Sequence, residues 1–194
     1  MLRNKESAAE ASRIFQHGAS FLVTGRLIMG VLYDYFRASD AKAAGRAMKS
    51  RGGPGFAKPA FDCVETKSID PAVALGKLVA FIRKVPWEVG IVPTTMVSPP
   101  AETAPKTEAA YNKLPEDSQW KTGPWLEELG LNVRDTLASV DDKQFPALAA
   151  QWAKIEEFGG VFDVEGLRRL IRDLAGLARR ARDHDERLYC WMCL

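Results

Sequence analysis

Two cysteines near the end of the chain, Cys190 and Cys193, have the C-x-x-C spacing of thiol-disulfide enzymes and of many zinc sites. A redox pair of this kind lies at the start of a helix, where the helix dipole lowers the pKa of the first thiol. Here the pair lies in an apolar segment, LYCWMCL, that is typical of a strand. Residues three apart in a strand point to opposite faces, with α-carbons about 10 Å apart, too far for a disulfide. We therefore expect two packed cysteines, with no metal site and no cofactor.

A group of arginines lies within the segment VEGLRRLIRDLAGLARRARD, residues 164–183, which precedes LYCWMCL in the chain. Its apolar residues recur at helical spacing, which places the arginines on the opposite face of a helix. These arginines are Arg168, Arg169, Arg172, Arg179 and Arg180. Such a face can bind phosphate groups or an acidic protein surface, and it is also the ordinary solvated side of an amphipathic helix. No aromatic residues alternate with the arginines, which argues against binding of single-stranded nucleic acid.

Large aromatic side chains could anchor a partner, because they carry much of the binding energy of protein interfaces. The candidates are Tyr33, Tyr35, Trp120, Trp125 and Trp191. The same residues could equally fill a hydrophobic core. We take the five arginines and Trp125 as the candidate residues for binding a protein partner.

A glycine-rich stretch, SRGGPGF at residues 50–56, is flanked by lysines and arginines and could hold a phosphate group with its backbone amides. It has neither the ending of a P-loop nor the spacing of a dinucleotide-binding loop. It also precedes a predicted strand, whereas phosphate loops precede a helix. A flexible connection is the simpler interpretation.

Acidic residues give a weaker catalytic signal. Asp34 stands between two tyrosines in the first predicted strand and could be a buried acid. Adjacent carboxylates such as Glu127 and Glu128 would point in different directions on a helix, so they favour a charged helix end over an acid–base couple. The chain contains no nucleophile or metal-binding motif of a known enzyme class. We therefore predict no catalytic residue.

Predicted strands and helices alternate in the first half of the chain, and helices dominate the second half. The predicted strands cover residues 30–38, 60–69, 86–93 and 187–194. The predicted helices cover residues 41–49, 71–85, 123–140, 145–158 and 164–183. Asp70 and Asp163 are predicted N-caps. The proline-rich residues 98–118 predict a mobile surface loop.

The length and composition are those of one soluble domain: 194 residues, 46% apolar and 27% charged. The net charge of +2 comes from residues 1–28, which show weak periodicity. We predict that residues 1–28 are an N-terminal extension, with Met29 as an alternative start, and that residues 29–194 form the domain. Three cysteines, no secretory signal and no membrane-spanning segment favour the cytoplasm.

The segments MGVLYDYFRASD and FDCVETKSIDPAVALGKLVAFI, with the closing helix and LYCWMCL, resemble an uncharacterised family of small actinobacterial α+β proteins. The closing helix and strand are also weakly similar to the YfbM-like bacterial family. The resemblance covers most of residues 29–194 and carries no catalytic motif, so it assigns no functional residue. By analogy, several families of small α+β proteins act as immunity proteins or partners of secreted toxins.

We therefore predict an α+β fold with a small sheet of about four strands, covered mainly on one face by helices. Three helices in the C-terminal half precede the closing strand. The predicted function is that of a non-enzymatic cytoplasmic binding protein, of immunity or adaptor type, which covers a protein partner. The alternatives are a small-ligand-binding protein or enzyme, and nucleic-acid binding through the arginine-rich helix face.

Overall fold

The computed structural model describes residues 31–194, in which five strands form one antiparallel sheet of order β2-β1-β5-β4-β3. The strands are β1 (Leu32–Ala38), β2 (Cys63–Lys67), β3 (Thr94–Ser98), β4 (Trp125–Leu129) and β5 (Arg187–Cys193). The predicted α+β class is confirmed, with one strand more than the sequence indicated. The predicted extension, residues 1–28, lies outside the described residues.

Three of the seven helices within residues 31–194 begin at a capping side chain. The helices are α1 (Ala41–Ala44), α2 (Ala74–Arg83), α3 (Glu108–Asn112), α4 (Gln119–Thr122), α5 (Leu131–Ala138), α6 (Phe145–Trp152) and α7 (Val164–Asp183). The Asp163 carboxylate accepts from the Gly166 amide at 2.7 Å, so this predicted N-cap is confirmed. The Asp70 carboxylate accepts from the Val73 amide at 2.7 Å, but residues 71–73 form a turn and α2 begins at Ala74 with Val73 as its N-cap residue, so the prediction of Asp70 as the N-cap is wrong. No helix within residues 31–194 is long and apolar enough to cross a membrane.

The two faces of the sheet are covered unequally. Side chains alternate along a strand, so Tyr35 faces α2, α5, α6 and α7 while Phe36 faces the other side. In the larger core the buried Trp152 donates through Nε1 to the Ala74 carbonyl at 2.9 Å, which joins α6 to α2. The smaller core lies beneath α1 and a 3-10 turn, Gly45–Lys49. The prediction that helices cover mainly one face is confirmed.

Two predicted elements are wrong. Residues 86–93 form a loop with a turn at residues 89–90, and the Trp87 Nε1 donates to the Ala72 carbonyl at 3.2 Å, which packs the ring on the start of α2. The first half of the predicted helix 123–140 is strand β4. β4 lies between β3 and β5, and partners on both sides supply ladder hydrogen bonds that a local pattern does not reveal. Trp125 and Leu126 are both buried, one on each face, as expected for a central strand.

The proline-rich segment 98–118 contains short helical elements. They are a 3-10 turn, Ala101–Thr103, and helix α3. The Trp120 Nε1 donates to the Thr103 Oγ1 at 3.0 Å and so attaches the 3-10 turn to α4. The sequence predicted a mobile loop here, and its mobility stays a prediction.

Candidate functional site

Helix α7 carries the predicted arginine face. Its opposite face is buried in the larger core through Leu167, Ile171, Leu174, Ala175, Leu177, Ala178 and Ala181. Leu174 has only 1% of its surface exposed. This packing fixes the rotation of the helix about its axis, so the arginine face is directed away from the core.

Four of the predicted arginines line an open groove between α7 and strand β2, which we call the β2–α7 groove. They are Arg169, Arg172, Arg179 and Arg180. The groove has a volume of about 860 Å³, and β2 forms its other side from Cys63 to Lys67. Half-buried Phe162 and Leu170 add apolar surface to it. Residues far apart in the sequence therefore meet at this one edge of the sheet.

The other two candidate residues do not line the groove. Arg168 pairs with Glu165 one turn earlier, with its Nε 2.9 Å from the Glu165 Oε1, and both side chains are exposed. Trp125 lies in β4 and is only 6% exposed, so its ring belongs to the protein interior. Tyr35 and Trp191 are buried as well. The structure therefore supports the interpretation that these aromatic residues fill the interior of the protein.

Asp62 joins α7 to the sheet at one end of the groove. Its carboxylate accepts from the Arg180 Nε at 2.6 Å and from the Arg37 Nε at 2.7 Å. Arg37 also pairs with Glu186. The hydrogen bonds and charges of the two arginines, with that of Arg180 foremost, hold the pKa of Asp62 below its usual range. The guanidinium of Arg180 is thus engaged within the protein.

Arg179 also has partners within the protein. Its Nη2 lies 2.9 Å from the Asp142 Oδ1 and donates to the Val140 carbonyl, and its Nε donates to the Ala138 carbonyl at 3.3 Å. These carbonyls belong to the end of α5 and the turn after it. Arg179 therefore attaches α5 to α7 and has little capacity left for a ligand.

Among the four arginines that line the groove, Arg169 has the fewest side-chain contacts with the rest of residues 31–194. Its side chain forms no hydrogen bond or ion pair with the other residues of the range 31–194, and its charge acts on Glu165 across one turn. Arg172 has only a long contact, 3.5 Å, with Asp173. Lys67 is exposed on the β2 side. On the α7 side, four arginines line the groove with one carboxylate, Asp173, because the side chains of Lys67 and Glu65 alternate onto the other face of the sheet.

Strand β2 lies at one edge of the sheet. Its ladder with β1 runs from the Arg37 amide, which donates to the Asp62 carbonyl at 3.3 Å, to the Ser68 amide, which donates to the Val31 carbonyl at 3.3 Å. Residues that form ladder hydrogen bonds alternate along an antiparallel strand, so the backbone N–H and C=O groups of Val64 and Thr66 are directed at β1. The residues that direct their backbone N–H and C=O groups away from β1 are Cys63, Glu65 and Lys67. Within residues 31–194, no other strand pairs with this edge.

The glycine-rich stretch lies on the smaller face of the sheet, above Asp34. A Cβ on Gly53 would lie 2.9 Å from the Asp34 Oδ2 and 3.1 Å from the Trp191 ring, so the backbone approaches both closely. A φ of +84° at Gly53 adds a second reason for glycine. The loop is therefore in contact with a carboxylate, which opposes the binding of phosphate on that side.

Asp34 is the buried acid that the sequence suggested, with 5% of its surface exposed. Burial, and next the charge of Glu65 directly across the ladder, raise its pKa to about 6. Among the residues that line the β2–α7 groove, Glu65 is present and Asp34 is not. The perturbed carboxyl and the groove are thus separate features.

The cysteines of the C-x-x-C motif lie in β5, as predicted. Cys190 packs in the larger core and Cys193 against the smaller one, so they point to opposite faces of the sheet. Burial raises the pKa of both thiols, and that of Cys190 rises well above its usual range. This setting disfavours thiolate chemistry at Cys190.

Sequence reasoning missed Glu127, because it placed this residue on a helix. In β4, Glu127 faces the larger core opposite Cys190, and Glu128 faces the other side. Burial raises the pKa of Glu127, and a hydrogen bond with Thr94 partly opposes the shift. Glu128 pairs with Arg187 and accepts from the Tyr189 hydroxyl at 3.1 Å. The sequence WLEEL does not alternate between apolar and polar residues, since Trp125 and Leu126 are both buried, so no local pattern could have revealed this arrangement.

Comparison of the chain with models of protein families, with curated proteins and with solved structures found no match. The resemblance to a family of small actinobacterial proteins therefore stays a prediction.

Proposed function

We propose that the protein is a non-enzymatic cytoplasmic binding protein, of immunity or adaptor type, that covers part of the surface of another protein. The observation that supports this proposal is the β2–α7 groove, which is open and has more cations than anions. Sites for small molecules are concave and enclose most of the ligand surface. An open groove along a strand and a helix is better suited to a segment of a macromolecule.

Affinity capture from the native cell tests the proposal, with the full chain as bait. The test variant is Arg169→Glu with Arg172→Glu, which reverses the charge of the two groove arginines that are exposed and have the weakest internal contacts. The matched control is Arg168→Glu on the same helix, outside the groove. We expect one stoichiometric protein to survive moderate salt with the unaltered chain and the control, and to be lost with the test variant.

Two results would contradict the proposal. One is that no protein is retained by the unaltered chain at low or moderate salt. The other is retention of nucleic acid with a steep decrease as salt rises, which is the signature of phosphate contacts. The second result would support the alternative of nucleic-acid binding.

A small-ligand site is the other alternative, and the raised pKa of Asp34 favours it. The ligand would have to displace Gly53, which lies against that carboxyl. Asp34→Asn preserves the shape of the side chain and removes the acid. We expect this variant to retain the captured protein in full. Loss of turnover in a metabolite screen on this substitution would support an enzyme in place of a binding protein.

A further inference from the structure

We propose that the β2–α7 groove takes an extended acidic segment of a partner protein as an additional strand beside β2. This inference rests on the proposed function, because it names the chemistry of the partner at the same groove. It adds two requirements, which are main-chain pairing with β2 and carboxylates directed at α7.

The backbone of β2 provides the first requirement. Its register with β1 is continuous from Cys63 to Lys67, so the strand is regular along its whole length. The outward N–H and C=O groups of Cys63, Glu65 and Lys67 are spaced to pair with alternate residues of a neighbouring strand. A strand added there would lie about 4.8 Å from β2, on the side where the groove opens. Peptide binding of this kind takes its affinity from main-chain hydrogen bonds and its specificity from alternate side chains.

The arginines of α7 provide the second requirement. Every second side chain of an added strand would point to the helix side of the sheet. Arg169 and Arg172 are exposed there and have little engagement with the rest of residues 31–194. A guanidinium pairs with a carboxylate through two parallel hydrogen bonds, which gives geometric specificity as well as attraction. Acidic residues at alternate positions of the partner segment therefore match the groove.

Charge also distinguishes this occupant from two others. Residues 1–28 of the chain itself carry four cations and two anions, so their net charge has the same sign as the groove. A second copy of the chain placed edge to edge would bring the Lys67 side chains and the arginines of two grooves together. Both arrangements add like charges, whereas an acidic segment neutralises them.

Fluorescence anisotropy with the full chain tests the inference. The probe is a short labelled peptide in which aspartate and threonine alternate. Its matched control has the same sequence with N-methyl groups on alternate backbone nitrogens, which preserves the charge and removes the strand hydrogen bonds. We expect methylation to weaken binding at least about tenfold. We expect a similar loss for Arg169→Glu and little change for Arg168→Glu.

A second measurement locates the peptide. Hydrogen exchange followed by NMR should show slower exchange of the Glu65 and Lys67 amides when the unmethylated peptide binds. This readout does not depend on any substitution that could perturb folding. Met96→Pro on the opposite edge, in β3, serves as a control for proline effects on a sheet edge, and Glu65→Pro serves as the blocking variant.

Equal binding of the methylated and unmethylated peptides would overturn the inference. So would equal losses for Arg168→Glu and Arg169→Glu, unchanged exchange at Glu65 and Lys67, or dimerisation through β2 in place of peptide binding. If one of these results is obtained while a protein is still captured through Arg169 and Arg172, the proposed function stands. Only the proposal that the partner adds a strand beside β2 is then rejected. Failure of the capture experiment removes the proposed function itself.

Discussion

The two edges of the sheet differ in regularity and in their surroundings. β2 keeps one register along its length and has the cationic side of α7 beside it. β3 has a register shift between Met96 and Ser98 and lies between Pro93 and Pro99. Gln119 of α4 donates through Nε2 to the Ser98 Oγ at 3.1 Å, which covers one end of that strand. Bulges and prolines are devices by which natural sheets block further pairing.

This contrast shows that an exposed edge is not by itself a binding site. Both edges present backbone groups, yet only β2 combines a regular ladder with a neighbouring helix that can contact the side chains of an added strand. Four predictions can break or sharpen this distinction between the edges.

The largest expected effect concerns the helix that distinguishes the β2 edge. Leu174→Ala removes a side chain of α7 that is 1% exposed in the larger core. We expect the free energy of unfolding to fall by about 2–5 kcal/mol, measured by urea denaturation. Arg172→Ala, on the exposed face, should change it by about 0.5 kcal/mol or less. Equal effects of the two variants would show that this buried face does not hold α7.

The second prediction concerns the attachment of β2 to β1, where the carboxyls of Asp34 and Glu65 face each other. The folded pKa of Asp34, about 6, exceeds that of an unfolded aspartate, so the folded protein binds this proton more tightly. The free energy of unfolding should therefore fall as pH rises from about 4 to about 6, by up to about 3 kcal/mol, and stay level above that range. Asp34→Asn should reduce this slope, and Glu127, whose pKa is also raised in the folded protein, should account for a remaining part.

Urea denaturation at several pH values measures the slope. The control is Asp173→Asn, which changes an exposed aspartate of α7 and should retain it. An undiminished slope in Asp34→Asn would contradict the prediction. If the slope is reduced in Asp34→Asn, pairing of β1 with β2 is weaker above about pH 6 because two charged carboxylates then lie opposite each other across this ladder.

The third prediction concerns Asp62, which ties Arg180 of α7 to Arg37 of β1. Asp62→Asn should lower the free energy of unfolding by about 1–2 kcal/mol at pH 7, because two partly exposed guanidinium groups lose their carboxylate. The pKa of Asp62 is lowered in the folded protein. Its contribution is therefore complete above the unfolded pKa of about 4 and is lost as pH falls through the folded value.

Thermal unfolding at pH 7 and at acidic pH measures this contribution. The variant and the unaltered protein should differ at pH 7 and converge in acid. A difference that persists unchanged below the folded pKa would indicate a packing effect in place of the ion pairs.

The smallest expected effect concerns the charges on the β2 edge. Charged side chains on an edge strand hinder pairing with another copy. Glu65→Thr with Lys67→Thr should therefore cause weak self-association at high concentration, detected by sedimentation velocity. Thr95→Val on the β3 edge, which changes an exposed residue, should cause none, because the irregular register still blocks pairing. Equal association of the two variants would remove the distinction between the edges.

Local patterns in the sequence determined several elements correctly. The apolar periodicity and Asp163 predicted α7 with both ends in place, because burial of one helix face and a capping carboxylate are local properties. The alternation in LYCWMCL predicted β5 and the opposite directions of Cys190 and Cys193. The arginine face was predicted for the same reason, since it is the complement of the buried face.

Only the tertiary structure decided which arginines could meet a ligand. Arg169 and Arg180 line a groove, while Arg168, next to Arg169 in the sequence, pairs with Glu165 outside it. The groove exists because β2 lies at the sheet edge beside α7, a relation set by the order of the strands. The identity of β4 as a strand depends likewise on partners from distant parts of the chain. Periodicity reports which side of an element is buried, whereas a site requires knowledge of which elements become neighbours.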